Sequence, residues 1–200
     1  MPEPIEFYFD FASPYGYFAS HRIDALAERH GRTAAWKPFM VGAAFKVTGS
    51  RPMTGAPIKG AYAGRDLART ARRMGVPFQL PAGFPHATLA PARAYYWLAG
   101  SDAAAAKAFA RAAYHAYFAE ARDIGRPDVT GEIAAALGAD SDALLGAIQE
   151  PAIKAQLKTV TDGAIERGVF GSPFVFVDGE PFWGHDRLDE VEAWLESGGW

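Results

Sequence analysis

The stretch FDFASPYGY, residues 9–17, marks the point where an extended run of the chain gives way to a helix. Before it, residues 5–11 (IEFYFDF) alternate and are rich in aromatic side chains, which predicts a β-strand. After it, Pro14 stands where the first turn of a helix tolerates proline, and a helical pattern runs to about Arg29. A second strand is predicted over residues 33–39. The N-terminal segment is therefore predicted to form a strand–helix–strand unit.

Ser13 stands immediately before the predicted helix, and two roles fit it. The first N–H groups of a helix are unpaired and favour an anion, to which a serine hydroxyl could donate a further hydrogen bond. Equally, Ser13 could simply cap the helix that begins at Pro14. A serine nucleophile is disfavoured, because no GxSxG elbow surrounds Ser13 and no partner base can be identified. The motif alone leaves the first two roles open.

The rest of the chain changes character twice. Residues 42–60 contain glycine and proline at short intervals, which predicts a loop, and residues 66–74 are predicted to be helical. An alanine-rich middle predicts helices only, and after Gly168 a hairpin and a last helix are predicted. The helices predicted for the middle cover residues 89–99, 103–119, 128–137, 144–148 and 151–167, and the later elements are strands over 174–177 and 181–183 and a helix over 188–196.

The order of these elements predicts the fold class. A βαβ unit, a helical block and a ββα unit follow one another, which is a thioredoxin-type order with an insertion. The predicted class is therefore α/β, a thioredoxin-like domain (βαβ…ββα) with an inserted all-helical domain. Residues 1–76 and 168–200 are predicted to form the thioredoxin-like domain, and residues 77–167 the inserted domain. Since no linker separates them, the insertion is expected to pack on the core.

The most informative feature of the composition is the absence of cysteine. It excludes disulfides, thiolate metal sites and cysteine nucleophiles. The five histidines show neither HxxxH nor HxH spacing, so no metal site is expected. A formal net charge of −3 without a basic run gives no support to nucleic-acid binding. Because no apolar stretch reaches the ~18 residues of a membrane helix and no secretory pattern begins the chain, a cytoplasmic protein without a membrane partner is expected.

A second candidate element is GSPFVFV, residues 171–177, in which Ser172 and Pro173 precede the predicted strand. A cis Ser172–Pro173 bond would turn the N–H and C=O of Ser172 outward, where a peptide ligand could pair with them as an added strand. An ordinary trans proline at the start of a strand is the alternative. By itself the motif favours the trans alternative, because most X–Pro bonds are trans.

Polar side chains elsewhere could hold the charged ends of a ligand. In WGHDR, residues 183–187, Asp186 could cap the last helix, or its carboxylate could bind a zwitterionic ligand end. His185 is a candidate for the same ligand or a solvated loop histidine. Arg51 and Lys59 lie in or near the predicted loop, where they could meet a ligand carboxylate or only face solvent.

Taken together, these motifs resemble one family closely. FDFASPYGY, TGSRP, PIKGAY, RDIGRPDV and GVFGSPFVFVDGEPFWGHDRL follow one another as in the 2-hydroxychromene-2-carboxylate isomerases. Those enzymes are close to the kappa-class glutathione transferases, within the disulfide-oxidoreductase-A-like (DsbA-like) thioredoxin superfamily. The resemblance implies a thioredoxin domain with a helical insertion, and a homodimer. A Cys-Pro-X-Cys motif in oxidoreductase relatives matches residues 13–16, here Ser-Pro-Tyr-Gly, so the resemblance implies that bound glutathione supplies the thiol.

The resemblance also implies roles for individual residues. Ser13 is the implied catalytic residue, which would donate a hydrogen bond to the glutathione sulfur and favour its thiolate. Ser172 would pair with the cysteinyl backbone of glutathione, and Lys59 would lie near the glycyl carboxylate. Ser50 and Ala87 depart from the pattern, because relatives often have asparagine at these positions. The glutathione-binding residues that the resemblance implies are Ser50, Lys59, Ser172, Pro173, His185 and Asp186.

The function that the resemblance implies is a glutathione-dependent isomerase. Its substrate would be 2-hydroxychromene-2-carboxylate or a related bicyclic compound from aromatic degradation, to which the thiolate would add reversibly. Tyr15, Tyr17 and Trp183 are expected to form a flat apolar substrate pocket. Two alternatives stay open: a kappa-like glutathione transferase that conjugates electrophiles, and a non-catalytic thioredoxin-like module that binds peptides at the Ser172–Pro173 edge.

Overall fold

The computed structural model describes residues 2–200 and has a four-stranded sheet at its centre. β1 runs parallel to β2 and antiparallel to β3, and β3 and β4 form an antiparallel hairpin. The predicted fold class is confirmed, with strands in the spatial order β2-β1-β3-β4. The four strands are β1 (Ile5–Phe9), β2 (Ala34–Pro38), β3 (Phe174–Val177) and β4 (Glu180–Trp183).

Helices make up most of the remaining chain, and those predicted for the alanine-rich middle are present. The boundary of the inserted domain at residues 77 and 167 stays a prediction. The helices of residues 2–200 are α1 (Pro14–Ser20), α2 (Ile23–Arg29), α3 (Val41–Thr48), α4 (Lys59–Met74), α5 (Leu89–Ala99), α6 (Ala103–Phe118), α7 (Pro127–Ala136), α8 (Ser141–Ala147), α9 (Pro151–Glu166) and α10 (Leu188–Ser197).

Two sequence predictions about these helices are wrong. The single helix expected to begin at Pro14 is divided into α1 and α2 at His21 and Arg22. The segment 42–60, predicted as a loop, contains most of α3 and the start of α4. No residue next to α3 caps it; instead its Val41 N–H donates to the carboxylate of Asp10 at 2.8 Å. A cap that comes from 31 positions away leaves no local signal.

The aromatic alternation of β1 places apolar side chains on both faces of the sheet. On one face, the rings of Phe7 and Phe9 meet the edge of Trp36 at centroid distances of 5.1 and 5.3 Å. On the other face, the ring of Tyr8 lies 6.0 Å from that of Phe176. All five side chains are buried, so the central strand is covered on both sides.

Two buried tyrosines of α5 join the helical middle of the chain to the sheet. Tyr95 Oη donates a hydrogen bond to the carbonyl of Trp36 at 2.9 Å, and Tyr96 Oη donates to that of Pro38 at 2.6 Å. Burial raises the pKa of both phenols, so they stay protonated and keep donating. The helical middle therefore packs on the core, as the sequence predicted.

A cluster of ion pairs connects the central strand with its neighbours. Both carboxylate oxygens of Glu6 accept hydrogen bonds from the Arg167 guanidinium, at 2.6 and 2.8 Å, and Lys37 also binds this carboxylate. These partners, Arg167 foremost, lower the pKa of Glu6 to about 2. The cluster links β1 to β2 and to the end of α9.

Replacing Glu6 with glutamine should remove a pH-dependent part of the stability. Because ionised Glu6 is stabilised only in the folded state, its contribution is complete above its ordinary pKa of 4.5 and is lost as the pH falls towards about 2. The difference in free energy of unfolding between wild type and Glu6→Gln should therefore shrink over that range. Urea denaturation at a series of pH values measures it. A difference that stays constant with pH contradicts this account, and Glu180→Gln, at an exposed position on β4, is the control.

Candidate active-site cleft

A cleft of about 850 Å³ opens where β1 meets α1. Its volume lies in the range of about 300–1,000 Å³ that is usual for small-molecule sites. Chain segments that are far apart in sequence meet there: residues 10–15, 40–67, 84–88 and 170–172 contribute to its wall. Six of the predicted site residues line this cleft, namely Ser13, Tyr15, Ser50, Lys59, Ser172 and Trp183.

Ser13 makes two hydrogen bonds with its side chain. Its Oγ accepts the N–H of Gly16 at 3.0 Å, which is the cap of α1, and donates to the carbonyl of Ser172 at 2.8 Å. Both local roles considered for Ser13 are therefore possible together: the oxygen caps the helix, and the hydrogen is shared with a second residue of the cleft. Ser13 is 9% exposed, so this hydroxyl lies at the base of the cleft.

The bond between Ser172 and Pro173 is cis, which is the alternative that turns the Ser172 backbone groups outward. Ser172 Oγ accepts the N–H of Asp10 at 2.8 Å, which attaches this segment to the end of β1. Pro173 is buried behind it, and its carbonyl accepts the N–H of Gly184 at 3.1 Å. Within residues 2–200 the N–H of Ser172 donates to no protein group, so it is available to a ligand.

Asp10 is a residue of the site that the sequence did not indicate. Its carboxylate is buried at the cleft wall and accepts hydrogen bonds from the N–H groups of Ala12 and Val41, at 2.8 Å each, and from Thr88 Oγ1 at 2.7 Å. Burial raises the pKa of Asp10, while these three donors act in the opposite direction. An aspartate within the aromatic run of residues 5–11 and three positions before Ser13 is a local signal that could have drawn attention to it.

Tyr17 does not belong to the cleft, which corrects its predicted place in the substrate pocket. Its side chain is 1% exposed, its Oη donates to the carbonyl of Pro77 at 2.9 Å, and its ring packs on Phe118. It lines a separate groove of about 580 Å³ with His21 and His115. Tyr15 does line the cleft, because two positions along a helix turn the side chain to a different side.

His185 and Asp186 lie beside the cleft rather than on its wall. The His185 ring stacks on Tyr15 with centroids 5.0 Å apart, so it is not a solvated loop histidine, and burial lowers its pKa. The side chain of Asp186 is 62% exposed and lies in a short turn before α10. It accepts no hydrogen bond from that helix, so the expected cap is absent. Its carboxylate lies 3.8 Å from the Arg187 guanidinium and is otherwise exposed to solvent.

The loop between α3 and α4 brings polar and basic groups to the cleft. Ser50, Arg51 and Lys59 are exposed there, and in the described part of the chain the two basic side chains form no ion pair. Ser50 Oγ accepts a hydrogen bond from Thr48 Oγ1 at 2.9 Å. Two unpaired cations beside a cleft favour a ligand that carries a carboxylate.

Trp183 closes the cleft on the side of β4. Its indole is 53% exposed and packs against Phe170 at 4.8 Å between ring centroids. The ring lies so near the backbone that a Cβ on Gly171 would meet its Nε1 at 2.2 Å, so any larger residue at position 171 would force the indole to move. Trp183 and Tyr15 are thus the aromatic members of the predicted pocket that the structure brings to the cleft.

Two further features lie outside the cleft. His30 and the α10 residues Glu192 and Glu196 place potential metal-ligand atoms within 4.8 Å of one another, although Arg29 already binds Glu192 at 2.6 Å. Sequence spacing could not reveal this group, because His30 is far from α10 along the chain. Among residues 2–200, no helix has both the length and the apolar character needed to cross a bilayer.

Fold and cleft together define a thioredoxin-like protein that has serine and glycine where a redox pair would carry thiols. The DSBA-like thioredoxin domain matches residues 4–196. The 2-hydroxychromene-2-carboxylate isomerase of Sphingobium xenophagum is 34% identical over 98% of this chain and 99% of its own. Glutathione s-transferase kappa 2 of Caenorhabditis elegans is 28% identical over 96% and 91%. A solved structure of 2-hydroxychromene-2-carboxylate isomerase superposes with a TM-score of 0.86 at 28% identity, covering 98% and 95%.

The chain therefore belongs to the DsbA-like thioredoxin family and, within it, to the 2-hydroxychromene-2-carboxylate isomerase family. This confirms the resemblance that the sequence motifs indicated. The predicted roles of the individual site residues stay predictions, and the geometry above shows which of them share one cleft.

Gly16 occupies the position that matches the second cysteine of oxidoreductase relatives, and the structure leaves no room there for a side chain. A Cβ on Gly16 would lie 2.4 Å from Tyr114 Oη. Tyr114 cannot easily withdraw, because it is fully buried and donates to the carbonyl of Asp10 at 3.0 Å. The packing around Gly16 therefore disfavours a cysteine at this position.

Gly16→Ala should destabilise the protein by about 1–3 kcal/mol, as overpacking in a rigid core does. Tyr114→Phe removes the Tyr114 hydroxyl and should restore part of that loss in the double variant. A double-mutant cycle of unfolding free energies measures this coupling. Gly64→Ala is the matched control, since a Cβ there meets nothing within 4 Å and α4 should gain slightly. Equal effects of Gly16→Ala with and without the tyrosine hydroxyl would show that the contact is not the cause.

Proposed function

We propose that the protein is a glutathione-dependent isomerase that acts on 2-hydroxychromene-2-carboxylate or a related bicyclic aromatic compound. Relatives named as this isomerase match nearly the whole chain, which supports an isomerase. The observation that carries glutathione dependence is the pair Ser13 and Ser172, whose hydroxyl and carbonyl meet at the base of the cleft in a chain without cysteine. A thiol needed at this site must come from a bound molecule.

The groups around the cleft fit glutathione chemically. Ser172 offers an unpaired N–H and a carbonyl to a peptide backbone. Lys59 and Arg51 carry unpaired positive charge for a carboxylate, and Asp186, which is exposed and lies 3.8 Å from the Arg187 guanidinium, offers a carboxylate for an ammonium group. A tripeptide with two carboxylates, one ammonium and a central thiol matches this set.

When bound, glutathione would supply a thiolate that adds reversibly to the conjugated system of the substrate and leaves after a bond has rotated. Ser13 would hold the sulfur in its anionic form. The Gly16 N–H fixes the position of Oγ, so only the hydroxyl hydrogen has to rotate about the Cβ–Oγ bond, from the Ser172 carbonyl to the sulfur. A hydrogen bond to an anion is stronger than one to a neutral carbonyl, which favours this rotation and lowers the thiol pKa.

Aromatic side chains of the cleft would hold the bicyclic substrate. Trp183 and Tyr15 line it together with apolar side chains such as Met40 and Leu67. Burial and a hydrogen bond donated to Asp66 at 2.9 Å raise the pKa of Tyr15, so its phenol stays neutral. We assign Tyr15 to contact with the flat face of the substrate rather than to proton transfer.

A kappa-like glutathione transferase is the second candidate, because kappa-class relatives also match most of this chain. Both functions would use the same thiolate. They differ only in whether the bond between sulfur and substrate is broken again before the product leaves. The homodimer and the cytoplasmic location that the resemblance implies remain proposals as well.

Ser13→Ala should lower kcat for chromene isomerisation by roughly 10- to 100-fold, the effect of losing one hydrogen bond to a charged group. The Ser13→Ala variant should bind glutathione as tightly as wild type at low pH, where the thiol is neutral. It should bind more weakly than wild type at high pH, where the thiol is ionised. Isomerisation assays with and without glutathione and calorimetric titration of both proteins measure these effects. Ser197→Ala, which alters an exposed serine of α10, is the control.

Three results would argue for other functions. Equal isomerisation with and without glutathione contradicts the thiolate mechanism. Conjugation of an electrophilic aromatic halide without isomerisation favours the transferase. Absence of glutathione binding, with no effect of Ser13→Ala on peptide binding, favours the non-catalytic module.

A further inference from the structure

We infer that His86 is the acid–base residue of the isomerisation proposed above, on which this inference rests. His86 follows the Phe84–Pro85 bond and is the one histidine of residues 2–200 that lines the same cleft as Ser13. The resemblance assigns it no role. Its surroundings combine features that a residue with only a packing role would not need.

The imidazole of His86 is held at one edge and free at the other. Its Nδ1 lies 3.2 Å from Tyr117 Oη and 3.5 Å from Asp123 Oδ1. Its Nε2 has no hydrogen-bond partner within residues 2–200 and is not among their buried unpaired atoms. With the proton on Nδ1, directed at Asp123, Nε2 has its lone pair available as a base.

The partners of this ring are themselves fixed. The Tyr117 hydroxyl accepts the backbone N–H of His86 at 2.9 Å, and burial raises the pKa of Tyr117 to about 12, so it stays neutral. Asp123 Oδ1 accepts the N–H of Gly125 at 3.0 Å. The Nδ1 edge of His86 thus lies beside a fixed phenol and a fixed carboxylate, which are surroundings suited to general acid–base catalysis.

His86 is also fixed relative to Ser13. Two positions after it, the Thr88 hydroxyl donates to the Asp10 carboxylate at 2.7 Å, and the Asp10 carbonyl accepts the N–H of Ser13 at 2.8 Å. The segment that carries His86 and the turn that carries Ser13 are thus both attached to Asp10. A substrate that reaches Ser13 therefore lies in a cleft that His86 also lines.

The other titratable side chains of the cleft either already form hydrogen bonds within the protein or keep a fixed positive charge. Asp10 already accepts three hydrogen bonds, and Tyr15 donates to Asp66. Arg51 and Lys59 carry stable positive charges near neutral pH. Histidine is the side chain that exchanges protons readily in that range.

Opening the chromene ring requires one proton to be taken and one to be given back. The 2-hydroxyl would lose its proton to Nε2 while its oxygen forms the new carbonyl at C2 and the bond from C2 to the ring oxygen breaks. The electron pair of that bond leaves on the ring oxygen, which takes the proton from the imidazolium and becomes a phenol. His86 ends unchanged, and the product is an isomer of the substrate.

The test compares His86→Gln and Asp123→Asn with wild type in isomerisation, glutathione binding and ¹⁵N NMR of the imidazoles. We expect His86→Gln to lower kcat about 100-fold, the usual effect of losing a general base, with the dissociation constant for glutathione unchanged within about twofold. We expect wild-type His86 to carry its proton on Nδ1 and Asp123→Asn to reduce the population of this tautomer and lower kcat. His115→Gln, in the separate groove, is the control and should retain wild-type kcat.

Each outcome decides the question. Unchanged kcat in folded His86→Gln overturns the inference and leaves the proposed function standing, as does an NMR spectrum with the proton on Nε2. If His86→Gln weakens glutathione binding by the same factor as it lowers kcat/KM, with kcat unchanged, His86 is a binding residue and the inference fails. Wild type without isomerisation activity defeats both the proposed function and this inference.

Discussion

The buried carboxylate of Asp10 is the constraint on which the cleft depends. Three donors, from Ala12, Val41 and Thr88, converge on it from the turn after β1, the start of α3 and the segment before α5. Its backbone N–H reaches Ser172, while its carbonyl accepts hydrogen bonds from Ser13 and Tyr114. One residue thus joins four parts of the chain that are distant in sequence. Burial of such a group is unfavourable unless all its hydrogen bonds are made, which explains why they are.

The same arrangement explains how a redox scaffold can act without its own thiols. Ser13 keeps the position of a nucleophilic cysteine but offers a hydroxyl, and the hydroxyl of Tyr114 fills the space beside Gly16 that a second side chain would need. Ser172 retains a free N–H beside the cleft. We propose that the remaining site binds and polarises a thiol that a ligand brings.

The sequence predicted the parts of this structure whose causes are local. The alternation of β1, the Asp178-Gly179 hairpin and the helical periods of the middle are short-range patterns, and each element is present. The helix α3 was missed because its first N–H is paired with Asp10 rather than with a neighbour. Likewise, the contacts of His86 depend on Tyr117 and Asp123, which lie far along the chain and give no spacing signal.

The central claim is that Ser13 stabilises the thiolate of bound glutathione, and the pKa of that thiol tests it most directly. Ultraviolet absorbance of the thiolate, followed against pH with glutathione saturated by protein, gives this pKa. A free thiol titrates near 8.5, and a hydrogen bond to an anion should lower the bound value by about one unit or more. The account predicts this shift in wild type and its loss in Ser13→Ala. A bound thiol that titrates like free glutathione would contradict it.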